Sequence, residues 1–498
     1  MAQAYRKLAS DIEKLVIKSG ETAGRDTPSP RPKSTTRSRA SGPQLRVAIE
    51  NVHFDLLKEE VRGFGNGHEI EIVPFSAENP DAPWMCAVDG ASDAPDLPDV
   101  AMVPHSRMKE LSALQDGTHF HQIPVDRDQS SSALDLDFLD HHYKNWRKRC
   151  SVDGKILALP FSVNASIMCA NIDLLKKYCE NYWKSRGQSN ASAFIPGSWQ
   201  SLLELIEENK RYKIAPSDIF SVVREGPGLY YEWLNFVISL GGYDVLLSDG
   251  HLDGVGFVRP ETKNATRRFV DLARQTRYSK TMDDQIVRFA KRRCALYMGW
   301  TDSFRFERSS EDGSLTEVRP TRLAGKSPSS RAHLPLVRLA AGPRDMRQQR
   351  TCLVDGWLMT FPRRAGERDP SAAGLDFAKW FLESSRQQHL LRRGFPSPSS
   401  WAVEREIEAF QAEHARPSGG TDGAPDSRLH VEASYDVFLT TMQTAIWGGR
   451  WAASPQARVD TLVTEALSQL ISDPKKDVEA ALVTLQNKVI EELKESED

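Results

Sequence analysis

Between residues 45 and 103 the chain alternates strand-like runs with helical ones. Leu45-Arg46-Val47-Ala48-Ile49 reads as a first strand and residues 55–64 as an amphipathic helix. Glu69-Ile70-Glu71-Ile72-Val73-Pro74 and residues 97–103 give two more strands, the last leading into a helix over residues 108–114. Strands joined through helices need crossover connections, which make them parallel and place helices against the sheet. The expected fold class is therefore α/β. A later stretch adds a second constraint. Leu353-Val354-Asp355-Gly356-Trp357-Leu358-Met359-Thr360-Phe361 is apolar on both sides of a Gly-Trp pair, short enough for a buried strand, and closed by Pro362-Arg363-Arg364. Trp357 offers a flat apolar face beside the carboxylate of Asp355, and Gly356 lets a ligand approach the backbone, a combination suited to stacking on a sugar ring. The same residues also read as a core tryptophan after a turn.

Between these two regions the chain turns helical. Residues 138–149 read as one helix, followed by a turn at Asp153-Gly154-Lys155 and a strand over 156–161. Ser162-Val163-Asn164 reads as a connection to a second strand over 165–170. Ser198 is placed to cap a helix carrying Leu202, Leu203, Leu205 and Ile206, with Trp199 as a plug behind the cap. Residues 230–240, stopped by Gly241-Gly242, and 264–272 read as further helices. A strand over 295–300 follows, and 307–331 is polar enough for a surface loop. Residues 375–391 form an amphipathic helix with Phe377, Trp380, Phe381 and Leu390 on one side, closed by Gly394-Phe395-Pro396-Ser397. Low-complexity residues 418–427 precede two helices, over 431–447 and 474–493, and no internal repeat is present.

Composition narrows the function classes. With 498 residues the chain has room for several cores, and 65 Lys+Arg against 68 Asp+Glu argue against a polyanionic partner. The six cysteines show no metal-binding spacing, and their scatter argues against a disulfide framework. His141-His142 lacks a ligand at metal spacing and reads as a solvated pair, and His105 as a turn residue. No GxSxG, HExxH, P-loop or strand-borne GxGxxG occurs, so no enzyme activity, cofactor or metal is expected. No run approaches the ~18–20 apolar residues of a membrane span. The charges at Arg6, Lys7, Asp11, Glu13, Lys14 and Lys18 leave no export-signal core, so the chain as written reads as cytoplasmic. A short helix over residues 5–18 and a basic linker over 21–43 open it.

The order of these pieces resembles the bacterial extracellular solute-binding proteins of the sugar-binding, ABC-transporter type, the group that includes maltose-binding protein. The resemblance rests on Pro98-Asp99-Val100 at a strand end, Asp153-Gly154-Lys155 through Pro160, and Pro196-Gly197-Ser198-Trp199 at a helix start. It continues through Gly241-Gly242, Arg293-Cys294-Ala295-Leu296-Tyr297-Met298-Gly299, Asp355-Gly356-Trp357 with Asp in place of a usual Gly, residues 378–388, and Gly394-Phe395-Pro396. The matches fall in family order across roughly residues 45–495. A weaker similarity links residues 5–21 to the first helix of GntR-type winged-helix regulators, but no recognition helix or wing follows.

The resemblance implies a two-lobed periplasmic-binding-protein-like fold with discontinuous lobes and a ligand in the cleft between them. The corresponding segments are 1–44 (helix and linker), 45–160 (lobe 1), 161–343 (lobe 2), 344–417 (return to lobe 1), 418–430 (flexible loop) and 431–498 (C-terminal helices). Hinges are expected near Pro160-Phe161-Ser162 and over 342–355. Sugar recognition needs flat apolar faces with carboxylates and amides for vicinal hydroxyls. The candidates at family contact positions are Trp357, Asp355, Trp300, Asp302, Tyr230, Trp233, Asn51 and His53, while Tyr230 and Trp233, spaced i and i+3, also suit core packing. The implied partners are a small polar solute such as a sugar and, if the chain is exported to the periplasm or beyond, an ABC permease. The alternative is a cytoplasmic ligand sensor derived from a binding protein, with DNA as its partner.

Overall fold

The computed structural model describes residues 44–64, 69–75, 97–108, 120–124, 134–143, 146–152, 154–185, 187, 196, 198–214, 217–220, 223–224, 226, 229–240, 242, 256–278, 285, 288–289, 293–308, 315–320, 337–341, 354–363, 369–414, 435–436, 438–442 and 456–495. The opening helix and linker, residues 109–114 of the helix expected over 108–114, the low-complexity residues 418–427, Trp447 and Trp451 lie outside them.

The first strands form as the alternation requires. β1 (Gln44–Glu50) pairs in parallel with β2 (Glu69–Phe75) and with β3 (Val100–Pro104), and α1 (Asn51–Glu60) joins the first two. α2 (Leu136–His142) and α3 (Trp146–Cys150) replace the single helix expected over 138–149. The break is at Tyr143, which is buried and donates its hydroxyl to the Leu382 carbonyl at 2.7 Å, so its backbone leaves helical geometry. A small hairpin, β4 (Ser151–Val152) with β5 (Lys155–Ile156), turns at Gly154, whose φ of 76° suits glycine.

The expected connection at Ser162-Val163-Asn164 is instead the middle of a single strand, β6 (Ala158–Asn171), buried along all 14 residues. Polar side chains suggested a loop, but each of these residues has a partner in β13 (Val354–Thr360): Asn164 faces Asp355, Val163 faces Gly356 and Ser162 faces Trp357. The register then slips, with Leu358 facing Pro160, so Phe161 is the extra residue of a bulge. Pro160, which has no N–H to donate, stands beside that bulge. Phe161 itself stacks on Phe381, ring centroids 4.7 Å apart, and is fully buried.

Three cores meet along β6. Ala158, Leu159 and Phe161 belong to a first core with β1, β3, β13, α8 (Ala372–Leu382) and α9 (Ser384–Arg392). Met168 and Ala170 belong to a second, with α4 (Ile172–Ser185), α5 (Trp199–Tyr212), α6 (Leu229–Ser239), α7 (Pro260–Thr276) and β9 (Leu296–Trp300). Ile167 and Cys169 enter a third, with α10 (Ser400–His414) and helical residues 435–436 and 438–442. The sheet runs β12 (Val337–Ala341), β6, β13, β3, β1, β2, with β9 on β6 as the seventh strand. A two-stranded parallel pair, β7 (Val223–Arg224) and β8 (Arg277–Tyr278), stands apart.

Other expectations are corrected or sharpened. Part of the polar loop expected over 307–331 is an antiparallel ribbon, β10 (Phe304–Arg308) with β11 (Leu315–Pro320), since the runs at both ends alternate with the strand period. The helix expected over 375–391 breaks at Glu383, and Gln387 reaches back to accommodate the break by donating to the Phe381 carbonyl at 2.7 Å. Its closing glycine behaves as read. Gly394 has φ 84°, and the Phe395 and Gly394 amides donate to the Leu390 and Leu391 carbonyls, a Schellman closure. Ser198 caps α5 in a reciprocal pair with Ser201. A helix absent from the sequence reading, α11 (Gln456–Ser472), pairs with α12 (Val478–Glu495), and both bury apolar stripes in the second core through residues such as Val459, Val463, Leu482 and Val489.

Gly356 is required by strand packing. A Cβ built there meets the Ser162 carbonyl oxygen at 2.1 Å, a backbone atom that cannot swing away. Gly356→Ala is expected to lower stability by about 1–3 kcal/mol in urea denaturation, through displacement of β13 from β6.

Cys150, Cys169, Cys179 and Cys294 are buried free thiols; burial pushes the Cys179 thiol up to about 12 and raises Cys150 and Cys169 as well. Native-state alkylation mapped by mass spectrometry is therefore expected to leave these four unmodified until the chain unfolds.

Candidate functional site

Side chains alternate along a strand, so Ser162, Asn164 and Ser166 share one face of β6. Their directly paired neighbours share it too: Trp357 opposite Ser162, Asp355 opposite Asn164, and Trp300 opposite Ser166. The sheet thus brings together a stripe with an indole at each end and polar groups between. From Ser162 to Ser166 the strand advances about 13 Å.

Asp302 joins the stripe through the turn after β9. Thr301, fully buried, accepts the Ala165 amide at 3.1 Å on its hydroxyl, and the Asn164 side-chain amide donates to Asp302 Oδ2 at 2.6 Å. Two consecutive residues of β6 therefore hold this turn, and α1, headed by the exposed Asn51, approaches it. Among the described residues, the buried Ser162 hydroxyl and Asn164 Oδ1 have no hydrogen-bond partner. Buried oxygens in that condition cost about 1–3 kcal/mol each, a cost that a donor from a bound molecule offsets.

At the Trp300 end the stripe opens into a pocket of about 380 Å³, its open mouth included, lined by Ser166, Tyr231, Glu232, Asn235, Met298 and Trp300 among others. Tyr231 and Trp300 meet edge to face, centroids 6.2 Å apart at 78°. At the other end Trp357 is 9 % exposed and meets Phe75 edge to face at 5.8 Å. Trp357 therefore serves both as part of the first core and as an end of the stripe.

Three candidates lie elsewhere. Tyr230 and Trp233 are wholly buried in the second core; Trp233 donates to Thr266 Oγ1 at 3.0 Å and stacks on Phe257. Both readings of that helix face were open in the sequence, and the i, i+3 spacing here follows the core, leaving Tyr231 on the pocket. His53, 3 % exposed, is set edge-on against Phe161 and Phe395, at centroid distances of 5.8 and 5.2 Å. It stands in the first turn of α1, not in a loop after β1. Trp199 also lines the pocket, with its indole N–H held by Ser239 at 2.6 Å.

Ser162, Asn164 and Ser166 were absent from the sequence reading as site residues. Their signal was present as a period-two run of polar residues, each followed by an apolar one, with Ser162 and Asn164 in a segment read as a connection and Ser166 in the strand read after it. Among the described residues no cluster of His, Cys, Asp or Glu could hold a metal ion, and no helix is long and apolar enough to cross a membrane.

Residues 65–417 match the sequence profile of the family described as bacterial extracellular solute-binding protein. The fold is similar to that of the cyclic α-maltosyl-1,6-maltose binding protein from Arthrobacter globiformis, with a TM-score of 0.60 at 15% identity over 91% of this chain and 100% of that one. Maltose-bound MalE3 of T. maritima gives 0.61 at 16% identity, over 90% and 99% of the two chains. The sugar-binding protein MalE from Xanthomonas citri gives 0.60 at 14%, over 91% and 98%. No curated protein matches the sequence. The α/β architecture is therefore the two-lobed fold of these binding proteins.

The Asn164–Asp302 contact yields a pH-dependent prediction. Asn164→Asp sets two carboxylates at hydrogen-bond distance, which raises the folded-state pKa of one of them above its unfolded value near ~3.9. A group so raised is tolerated below the unfolded pKa and penalises the fold as pH rises through the folded one. The variant is expected to lose on the order of 3 kcal/mol at pH 7 and to recover most of it near pH 4, read as the melting-temperature difference from the native protein at each pH.

Proposed function

Since this chain belongs to the bacterial extracellular solute-binding proteins, we propose that it binds a small carbohydrate on the Trp357-to-Trp300 face and releases it unchanged, as the receptor of an ABC-type transporter. The observation that carries this reading is the stripe itself: indoles at both ends, with hydroxyl, amide and carboxylate groups from Ser162, Asn164, Asp302, Asp355 and Ser166 between them. A pyranose presents apolar C–H faces and a rim of hydroxyls that both donate and accept, and this alternation of flat and polar surface suits it. The similar structures named for maltose and maltosyl sugars support the same class.

In this reading Trp300 and Tyr231 form the stacking corner, Asp302 and Asp355 accept from sugar hydroxyls, Asn164 and Ser162 receive donors on their buried oxygens, and Asn51 reaches in from α1. Trp357 closes the far end. We place the lobes at 45–160 with 344–417, and at 161–343, hinged at the Phe161 bulge, where β6 leaves one core for the others. Ligand touching both sides of that bulge shifts an open-closed equilibrium. The family is named for extracellular binders, which supports a place outside the cytoplasmic membrane and the transport reading over the cytoplasmic ligand-sensing one.

A thermal-shift panel of mono- and disaccharides tests the proposal. The cognate sugar at one hundred times its dissociation constant adds about 2.7 kcal/mol of stability. Trp300→Ala is expected to weaken that sugar by about 2 kcal/mol, about thirtyfold in Kd by calorimetry. Folded protein that no sugar stabilises would overturn the carbohydrate assignment.

A further inference from the structure

The pocket beyond the Tyr231–Trp300 corner has a composition that a fully hydroxylated ring does not match. Its apolar lining comes from Val223, Phe269, Leu272 and Met298. Ser166, Glu232 and Asn235 supply its polar side chains, apart from the aromatic residues. The Trp199 indole N–H is already committed to Ser239, so it offers no donor. The enclosed end is narrow, with room for a group or two of the size of a methyl or a water.

We propose, on the basis of the carbohydrate reading above, that the sugar bound here carries an N-acetyl substituent and that this pocket receives it. An acetamido group has three unlike parts, and the pocket holds a complement for each. The N–H needs an acceptor, which the Glu232 carboxylate is. The carbonyl needs a donor, and the Ser166 hydroxyl and the Asn235 side-chain amide are groups of that kind. The methyl needs a small apolar recess, which Val223, Leu272 and Met298 wall. A hydroxyl in the same place would use one polar partner and leave the recess empty. An ammonium would satisfy Glu232 but would set a charge against the apolar wall, which is costly for an ion.

The arrangement of the elements favours a substituent projecting from the ring over a ring inserted whole. Trp300 and Tyr231 stand edge to face at the mouth, so a ring stacked on Trp300 remains on the stripe. Gly299, on β9, lines the pocket between Met298 and Trp300. Only a group of a few atoms passes inward.

Calorimetry on the full chain with matched sugar series tests this. Glucose, galactose and mannose are each compared with their 2-acetamido and 2-amino forms. The expected result is that at least one 2-acetamido sugar binds about tenfold or more tightly than both its hydroxyl and amino counterparts, the discrimination that one small apolar group and its hydrogen bonds supply. Glu232→Ala should bring that ratio toward one, read as the ratio of two ligands on the same folded variant. If a hydroxyl or amino form binds as tightly as, or more tightly than, every acetamido form, the N-acetyl assignment is overturned and the carbohydrate reading stands. An undiminished ratio in Glu232→Ala also overturns it. If no sugar of any series or of the wider panel binds, both readings fall.

Discussion

One buried strand carries the organisation of this protein. β6 gives its first residues to one core, its last to two others, and its middle to a polar stripe. A strand buried on both faces has to satisfy every peptide group with neighbouring strands, because water cannot reach it. β13 does so for most of residues 158–165, with the Val163 amide donating instead to the Pro396 carbonyl, and β9 and β12 do so for 166–171. The change of partner falls between Ala165 and Ser166, at the far end of the polar stretch that begins at Ser162. The bulge at Phe161 falls just before that polar stretch, so the chain bends where it passes between cores. The close backbone approach that excludes a side chain at position 356 is a consequence of the same pairing.

The local grammar of the fold was legible where one residue type has one physical use. The parallel strands at the start followed from alternation, Ser198 from its capping chemistry, and Gly394 from the left-handed turn it adopts. What escaped was set by partners distant in sequence. Ser162-Val163-Asn164 looks like a connection because Ser and Asn so close together usually mark one; only β13, almost two hundred residues later, makes it a strand. Glu383 interrupts an unbroken amphipathic pattern because Gln387 supplies an alternative partner for the Phe381 carbonyl. α11 escaped notice although its Val459-Val463-Leu467 spacing is helical; its apolar residues find their partners in α6, α7 and α12.

The site shows the same division. Aromatic residues beside carboxylates at strand ends pointed to Trp300, Asp302, Asp355 and Trp357, and the sheet sets all four around one stripe. Gly356 was read as room for a ligand, whereas the atom that comes close is the Ser162 carbonyl. On α6, sequence spacing alone gave no means of deciding which of three neighbouring aromatics faces outward. The core took Tyr230 and Trp233, because each fills a wholly buried position and Trp233 has Thr266 to receive its N–H. His53 was a candidate as a family contact position, but α1 begins directly after β1, and its first turn carries the ring into an aromatic socket.

A polar stripe on a fully buried strand is expensive unless something uses it. The Asn164 amide is half used, its N–H₂ engaged by Asp302 and its oxygen buried without a donor among the described residues, and the Ser162 hydroxyl is in the same condition. Replacing such groups by apolar ones of similar shape would stabilise an isolated fold. Retaining them is reasonable in a protein whose stability includes a ligand, because a hydroxyl-rich molecule supplies the missing donors where solvent does not. The turn at Thr301 adds the positional part of the argument. With Ala165 and Asn164 both holding it, Asp302 is set before any ligand arrives, so binding does not have to order it. The polar groups are thus placed by the same strand that joins the cores, which ties the proposed sugar contacts to the hinge proposed at Phe161: whatever draws on Asn164 and Ser162 draws on the residues next to the bulge.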